Sequence, residues 1–202
     1  MTVSKQHLGQ QLAQTLGQTL SEQELSSYLK QIETLELTAG KRFWQTADVD
    51  IGIYIIVAGK VRLLDHTEHL LASLEAGDSF GELTLFPEED FQPHSTRASI
   101  NLQLCYLNSE CLQALIQKHP TIRDHLHHQA VLRDLLLLCR QIATLRNTPL
   151  PSLMKMLSLL ERHNLNVGNF PVSHWKDQQF WLLRRGELLH SSGQMLTAGN
   201  IL

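Results

Sequence analysis

A basic excess is absent from this chain. Lys and Arg total 17 against 20 Asp and Glu, a formal net charge of −3, with a pI of about 6.4. Nucleic-acid partners demand clustered positive charge, so none is expected. Long apolar runs are absent too. The longest purely apolar stretches are short, such as residues 135–139, far below the ~20 residues that span a bilayer. Direct membrane insertion is therefore not expected. The N-terminus lacks a basic stretch followed by an apolar core, so no signal peptide is expected. The cysteines are three, Cys105, Cys111 and Cys139, an odd number without CxxC spacing. That argues against a disulfide framework and for a reducing, cytoplasmic setting with the thiols buried. No G-x-S-x-G, nucleophile–base pair or paired carboxylates stand out, so an enzyme is not expected. His125, His127 and His128 cluster, but their spacing does not put three ligands on one helical face, and no metal site is expected.

What remains is a globular composition, 43% hydrophobic over 202 residues. That is enough for one domain and a smaller appendage. Residues 1–19 carry Leu8, Leu12 and Leu16 at helical spacing. Ser21-Glu22-Gln23-Glu24 reads as a capping box, opening a helix with Leu25, Leu29 and Ile32 on its apolar face. From about residue 36 the period becomes two. Ile51, Ile53, Ile55, Val57, Val61 and Leu63 alternate with polar or small residues. Turn signals fall at Thr38-Ala39-Gly40, Ala58-Gly59-Lys60, Ala76-Gly77-Asp78 and Gln92-Pro93-His94. Residues 98–107 read as one further strand with Ile100, Leu102, Leu104 and Tyr106 on one face. Short strands so spaced predict an antiparallel β-roll of jelly-roll type.

Past Leu107 the pattern turns helical. Asn108 or Ser109 caps a helix that stops at His119-Pro120, and Thr121 restarts it. Val131, Leu138 and Leu145 lie seven apart, with Leu135 and Ile142 between them. That seam faces either the core or a second copy of the chain. Thr148-Pro149-Leu150-Pro151 reads as a stiff linker, after which Ser152 caps a helix with Leu153, Leu157 and Leu160. The last segment, Phe180-Trp181-Leu182-Leu183-Arg184-Arg185-Gly186-Glu187-Leu188, echoes residues 53–61, and Ala198-Gly199-Asn200 echoes Ala76-Gly77-Asp78. It is either an internal repeat or two hairpins alike by chance. If it is a repeat, the chain is expected to be cut from a longer protein. The fold class is α+β: a roll with flanking helices and a long C-terminal helix over 20–147, an N-terminal helical segment over 1–19, and a helix with a β-hairpin over 148–202.

The most informative segment is Gly77-Asp78-Ser79-Phe80-Gly81-Glu82-Leu83-Thr84-Leu85-Phe86. Its glycines allow positive φ and a close backbone approach, and successive free N–H groups there make a nest for an anion. The segment resembles the phosphate-binding cassette of the cyclic nucleotide-binding domain family. Leu37-Thr38-Ala39-Gly40 resembles that family's opening turn, and Tyr54-Ile55-Ile56-Val57-Ala58-Gly59-Lys60-Val61 its hairpin. The resemblance spans roughly 20–146 and implies a ligand pocket lined by Phe80, Gly81, Glu82, Leu83, Gln92, Pro93 and Arg97.

The pocket departs from the family pattern. In an ungapped register the family's phosphate-pairing arginine falls on Gln92, and the next donor on Pro93, which has no N–H. Arg97 serves the phosphate only if the strand slides by five residues; otherwise it is a structural strand arginine. His94 shares the pocket-side parity of Gln92, as a weak cation or a partly exposed strand histidine. The family's base-reading positions fall near Leu137 and Leu138. Glu82 reads either as an acceptor for a ribose hydroxyl or as an acid bonded to local amides. No cofactor is expected, and cAMP or cGMP only weakly.

The resemblance implies a regulatory sensor, with an unidentified small molecule as ligand. Bacterial members pair two subunits through the long helix, which implies a homodimer through 121–146. Residues 97–99, 102–107 and 181–188 also resemble, more loosely, the N-terminal region of cyanobacterial peptidase-type ABC exporters, implying a larger polypeptide. Two alternatives stand beside this reading: a cyclic-nucleotide-binding transcription regulator of the cAMP receptor class, and a ligand-free dimerisation or interaction module.

Overall fold

A computed structural model describes residues 5–45, 51–89, 91–161, 163, 168, 181–189, 192 and 194–199. The chain divides into two compact units, Met1–Asp134 and Leu135–Leu202.

The first unit begins with helix α1, Lys5–Leu16, whose Leu12 and Leu16 are fully buried. Helix α2, Glu22–Tyr28, starts on the Ser21–Glu24 capping box, with both reciprocal bonds formed. The roll follows as two four-stranded antiparallel sheets. The strands are β1 (Glu33–Leu37), β2 (Arg42–Gln45), β3 (Gly52–Ala58), β4 (Lys60–Leu64), β5 (Leu70–Glu75), β6 (Ser79–Phe80), β7 (Ser95–Ala98) and β8 (Leu102–Asn108). One sheet runs β1-β8-β3-β6, the other β2-β7-β4-β5. β3 is buried along nearly its whole length. Ile53, Ile55 and Val57 join Leu107, Leu112, Leu126 and the α1 leucines in one core.

The alternation predicts one strand over 98–107, and here the structure differs. β7 ends at Ala98 and β8 begins at Leu102, so the stretch serves both sheets. Ile100 lies in the bend between them and is 55% exposed. Gly59 makes that bend fit: a Cβ on it would stand 2.5 Å from the Asn101 carbonyl oxygen. Only glycine tolerates that approach at φ 100°.

Helix α3, Ser109–Lys118, is capped by the Asn108 side chain, which accepts from the Cys111 amide. His119 is extended (φ −132°, ψ 81°), as the residue before a proline must be. Helix α4, Thr121–Gln141, then runs 21 residues. It stops five residues short of the predicted end at Arg146. The Arg140 guanidinium binds the carbonyls of Arg146 and Thr148 and so holds a turn where the seam was to continue. Glu24 of the capping box accepts from Lys118 at 2.6 Å and from His119 at 2.9 Å, which ties α2 to the α3–α4 junction.

In the second unit, helix α5 spans Leu150–Leu157. It begins earlier than predicted: Pro149, not Ser152, holds the N-cap position, and Pro151 sits in the first turn. The fixed φ of proline suits that turn, where its missing N–H costs nothing. Leu153 and Leu157 are buried. Strands β9 (Glu187–Leu189) and β10 (Met195–Thr197) form an antiparallel hairpin. Among the described residues, no helix is long and apolar enough to cross a membrane.

Candidate functional site

The site is built on Gly81. Its φ of 98° lies in the left-handed region, and an added Cβ would stand 2.5 Å from the Gly52 carbonyl oxygen. The Thr84 hydroxyl donates to the Gly81 carbonyl at 2.7 Å and accepts from the Gly52 amide at 3.2 Å. These bonds fix a short 3-10 turn over Glu82–Leu85 against the start of β3.

Phe80 and Leu83 turn away into the core. Phe80 is fully buried and stacks on Tyr54 with ring centroids 5.0 Å apart. Phe43 and Trp44 meet it edge-on. Leu83 belongs to the apolar core beneath the roll. Both position the turn from behind.

Glu82 is only 2% exposed. Its partner is Arg133 of α4, whose Nε donates to Glu82 Oε1. Arg133 Nη2 also donates to the Ser79 carbonyl at 2.6 Å. One guanidinium thus holds both the carboxylate and the backbone of the cassette. Glu82 Oε2 is buried and accepts no hydrogen bond from the described residues.

The residue after Arg133 on α4 is a second buried acid, Asp134, 1% exposed. Its Oδ1 accepts from the Gln92 amide at 2.8 Å. His94 lies next to this pair, 4% exposed, with its ring 5.1 Å from that of Trp44. Its Nδ1 donates to the Gln92 carbonyl at 3.3 Å. Burial, chiefly, lowers the His94 pKa to about 4, and the Arg133 charge adds to this. The Gln92 carbonyl and Glu82 oppose the shift without cancelling it. His94 is thus a buried neutral ring, where the sequence offered a partly exposed one.

Arg97 lies outside this group. Strand β7 alternates, with Thr96 and Ala98 buried and Ser95 and Arg97 half-buried. The Arg97 guanidinium donates to Glu68 Oε2 at 2.6 Å, and Arg42 joins the other oxygen of Glu68. The period of two decides this: with His94 and Thr96 inside, Arg97 faces out. Pro93 is exposed and carries no N–H. Of the seven predicted pocket residues, the structure bonds Glu82 and Gln92 to α4, and Gly81 holds the turn that presents Glu82.

Sequence reasoning gives Arg133 and Asp134 no place in the site. A signal lies in the helix register: the family's base-reading positions fall near Leu137 and Leu138, and Arg133 and Asp134 stand four residues before them, on the same helical face. Together the contacts pair one carboxylate, Glu82, with the Arg133 guanidinium and set the second, Asp134, on the Gln92 amide, with the neutral His94 ring bonded to the carbonyl of the same Gln92. That set offers a free acceptor at Glu82 Oε2 and disfavours a further negative charge. Leu138, on the predicted pairing seam, is 2% exposed within a single chain. Among the described residues, no group of three or more His, Cys, Asp or Glu could hold a metal ion.

Residues 34–119 match the model of the family described as the cyclic nucleotide-binding domain. No curated protein matches the chain. The chain is similar to the catabolite activator protein of Thermus thermophilus, at 28% identity and a TM-score of 0.48. That alignment covers 59% of this chain and 57% of the other, so the chain spans little more than half of that relative. The sensor domain of the transcriptional regulator DNR from Pseudomonas aeruginosa aligns with a TM-score of 0.53 and 18% identity, covering 64% of this chain and 89% of that one. The structure described as PKAR CBD2 bound to Sp-2Cl-cAMPS gives a TM-score of 0.53 and 18% identity, covering 66% and 88%. The roll with its flanking helices has the cyclic nucleotide-binding-like fold.

Proposed function

We propose that the roll is a non-enzymatic, cytoplasmic sensor domain of the cyclic nucleotide-binding type whose phosphate site is degraded. It acts as part of a larger protein, such as an ABC exporter, and signals through α4. One observation carries this reading: at the positions where a cationic side chain and a second amide would meet a phosphate, the chain has Gln92, bound through its amide to the buried carboxylate of Asp134, and Pro93. An anion there loses its cationic partner, a loss of ~2–5 kcal/mol, and gains a carboxylate neighbour. The signalling role of α4 rests on its reach. Arg133 and Asp134 engage the cassette and the Gln92 segment from adjacent positions, so any rearrangement of the site acts on the helix directly. The exporter context rests on the resemblance carried by residues 97–99, 102–107 and 181–188.

Thermal unfolding with 1 mM cAMP or cGMP tests the degraded site. A site of about millimolar Kd gains only ~0.4 kcal/mol at that concentration, whereas a micromolar site gains ~4 kcal/mol, a shift of many degrees. The second outcome overturns the proposal. A second reading, the ligand-free interaction module, is favoured by the Arg133–Glu82 pair, in which a side chain of the protein itself takes one oxygen of the cassette acid.

A further inference from the structure

The second unit repeats the register and the closing bond of one hairpin of the roll. In the roll, Gly59 turns the chain at φ 100° after β3, β4 and β5 form a hairpin, and Gly77 closes it at φ 99°. The closing bond runs from the Gly77 amide to the Ile56 carbonyl, three residues before Gly59, at 2.8 Å. In the second unit Gly186 turns at φ 81°, β9 and β10 form a hairpin, and Gly199 closes it at φ 88°. The Gly199 amide donates to the Leu183 carbonyl, three residues before Gly186, at 2.8 Å.

The strand register agrees as well. Lys60↔Glu75 joins the residue after the first glycine to the residue two before the second. Glu187↔Thr197 does the same. The next pairs are Val61↔Leu74 and Leu188↔Leu196, then Arg62↔Ser73 and Leu189↔Met195. The faces match: Leu74 and Leu196 are both buried, and Ser73, Glu75, Met195 and Thr197 are all exposed.

The one difference in length has a simple origin. Gly59 to Gly77 spans 18 positions and Gly186 to Gly199 spans 13. The roll hairpin adds the pairs Leu63↔Ala72 and Leu64↔Leu70, with a one-residue irregularity between them at Leu71. These are the five extra residues, and five residues lie between the paired strands in both copies. A generic hairpin takes its register from its tip. It has no need of glycines at its base or of a bond back to the preceding strand.

We propose that residues 181–199 are the β3-to-β5 portion of a second roll, so that this polypeptide is a tandem of two domains of one fold. A two-stranded hairpin is marginal alone, so this one calls for partner strands as β4 and β5 have in the roll. The two copies are not equivalent on the outside. Where the first has Arg62 opposite Ser73, the second has Leu189 opposite Met195.

The test is a graft within the 202-residue chain. Residues 60–76 are replaced by residues 187–198, which keeps both flanking glycines. One control carries the same graft with one residue inserted after Gly59, which turns every side chain to the wrong face. The other carries an unrelated hairpin of equal length and the same apolar alternation. Urea unfolding of the roll is read in each. The proposal expects the in-register graft to keep most of the parent's midpoint and both controls to lose it. An in-register graft no better than the shifted one, or an unrelated hairpin tolerated equally well, overturns it. A measurement on the parent chain guards against simple misfolding of the grafts. The amides of Gly77 and Gly199 should both exchange at least about 100-fold slower than in a free peptide. Free-peptide exchange at Gly199 also overturns the proposal.

Discussion

Asp134 Oδ1 accepts the Gln92 amide at 2.8 Å, across 42 positions of sequence. The acid is buried and belongs to the long helix; the amide belongs to the segment where the resemblance implies a phosphate contact. A carboxylate therefore sits against the backbone of the position whose side chain should meet the phosphate. Replacing Gln92 by Arg restores the missing cation, and Asp134→Asn removes the competing charge. Calorimetry should show cAMP affinity rising ~10- to 100-fold with Gln92→Arg and further in the double variant. No gain in either would place the obstruction elsewhere, at Pro93 or the leucines of α4.

Arg133 and Glu82 make the second prediction. Their side chains are 14% and 3% exposed. Removing one partner of a buried pair leaves the other charge uncompensated, at ~3–5 kcal/mol. Arg133→Met should cost that much in urea unfolding. Adding Glu82→Gln should recover most of the loss, because the stranded charge is gone. Additive losses in the double-mutant cycle would show that the two do not act as a pair.

His94 predicts a pH dependence. Its pKa falls from 6.5 to about 4 on folding, so the unfolded chain binds the proton more readily. The stability linked to this ring is complete above pH ~6.5 and declines as pH falls toward 4. The slope reaches about 1.4 kcal/mol per pH unit, for a total of about 3. Between pH 7 and pH 4, His94→Gln should lose less stability than the parent by roughly that amount. Parallel curves for the two proteins would contradict it.

Much of the roll is legible in the sequence. The positions of β3, β4 and β8 follow from the period of two, although Tyr54 and Ile56 bury the other face of β3 as well, and the α2 start follows from Ser21 and Glu24, because both are local signals. The division of residues 98–107 between two sheets was not legible. Ile100 keeps the period of two through the bend, so the pattern shows no break. The site was half legible. Gly81 and Glu82 stand in a recognisable motif, but Arg133 stands 51 positions from Glu82 on a helix whose apolar face drew attention to its leucines. Charge pairing at that distance is set by tertiary packing. The burial of His94 is likewise a property of Trp44 and α4, which its own strand does not reveal.

Gly81 separates conformational strain from close approach. At Gly40, with φ 82° and nothing within 4 Å of an added Cβ, Gly40→Ala should cost about 1 kcal/mol. At Gly81 the Cβ also meets the Gly52 carbonyl oxygen at 2.5 Å, which is backbone and cannot swing aside. Gly81→Ala should therefore cost at least about 2 kcal/mol more. Equal losses at the two positions would show that the cassette turn does not pack on β3 as described.

The most direct measurement is calorimetric titration of the unaltered chain with cAMP and with cGMP at about 0.15 M salt, where surface charge is screened and buried charge is not. The account predicts dissociation constants of about a millimolar or weaker for both, since the cationic partner worth ~2–5 kcal/mol is missing. Micromolar binding of either nucleotide would contradict it.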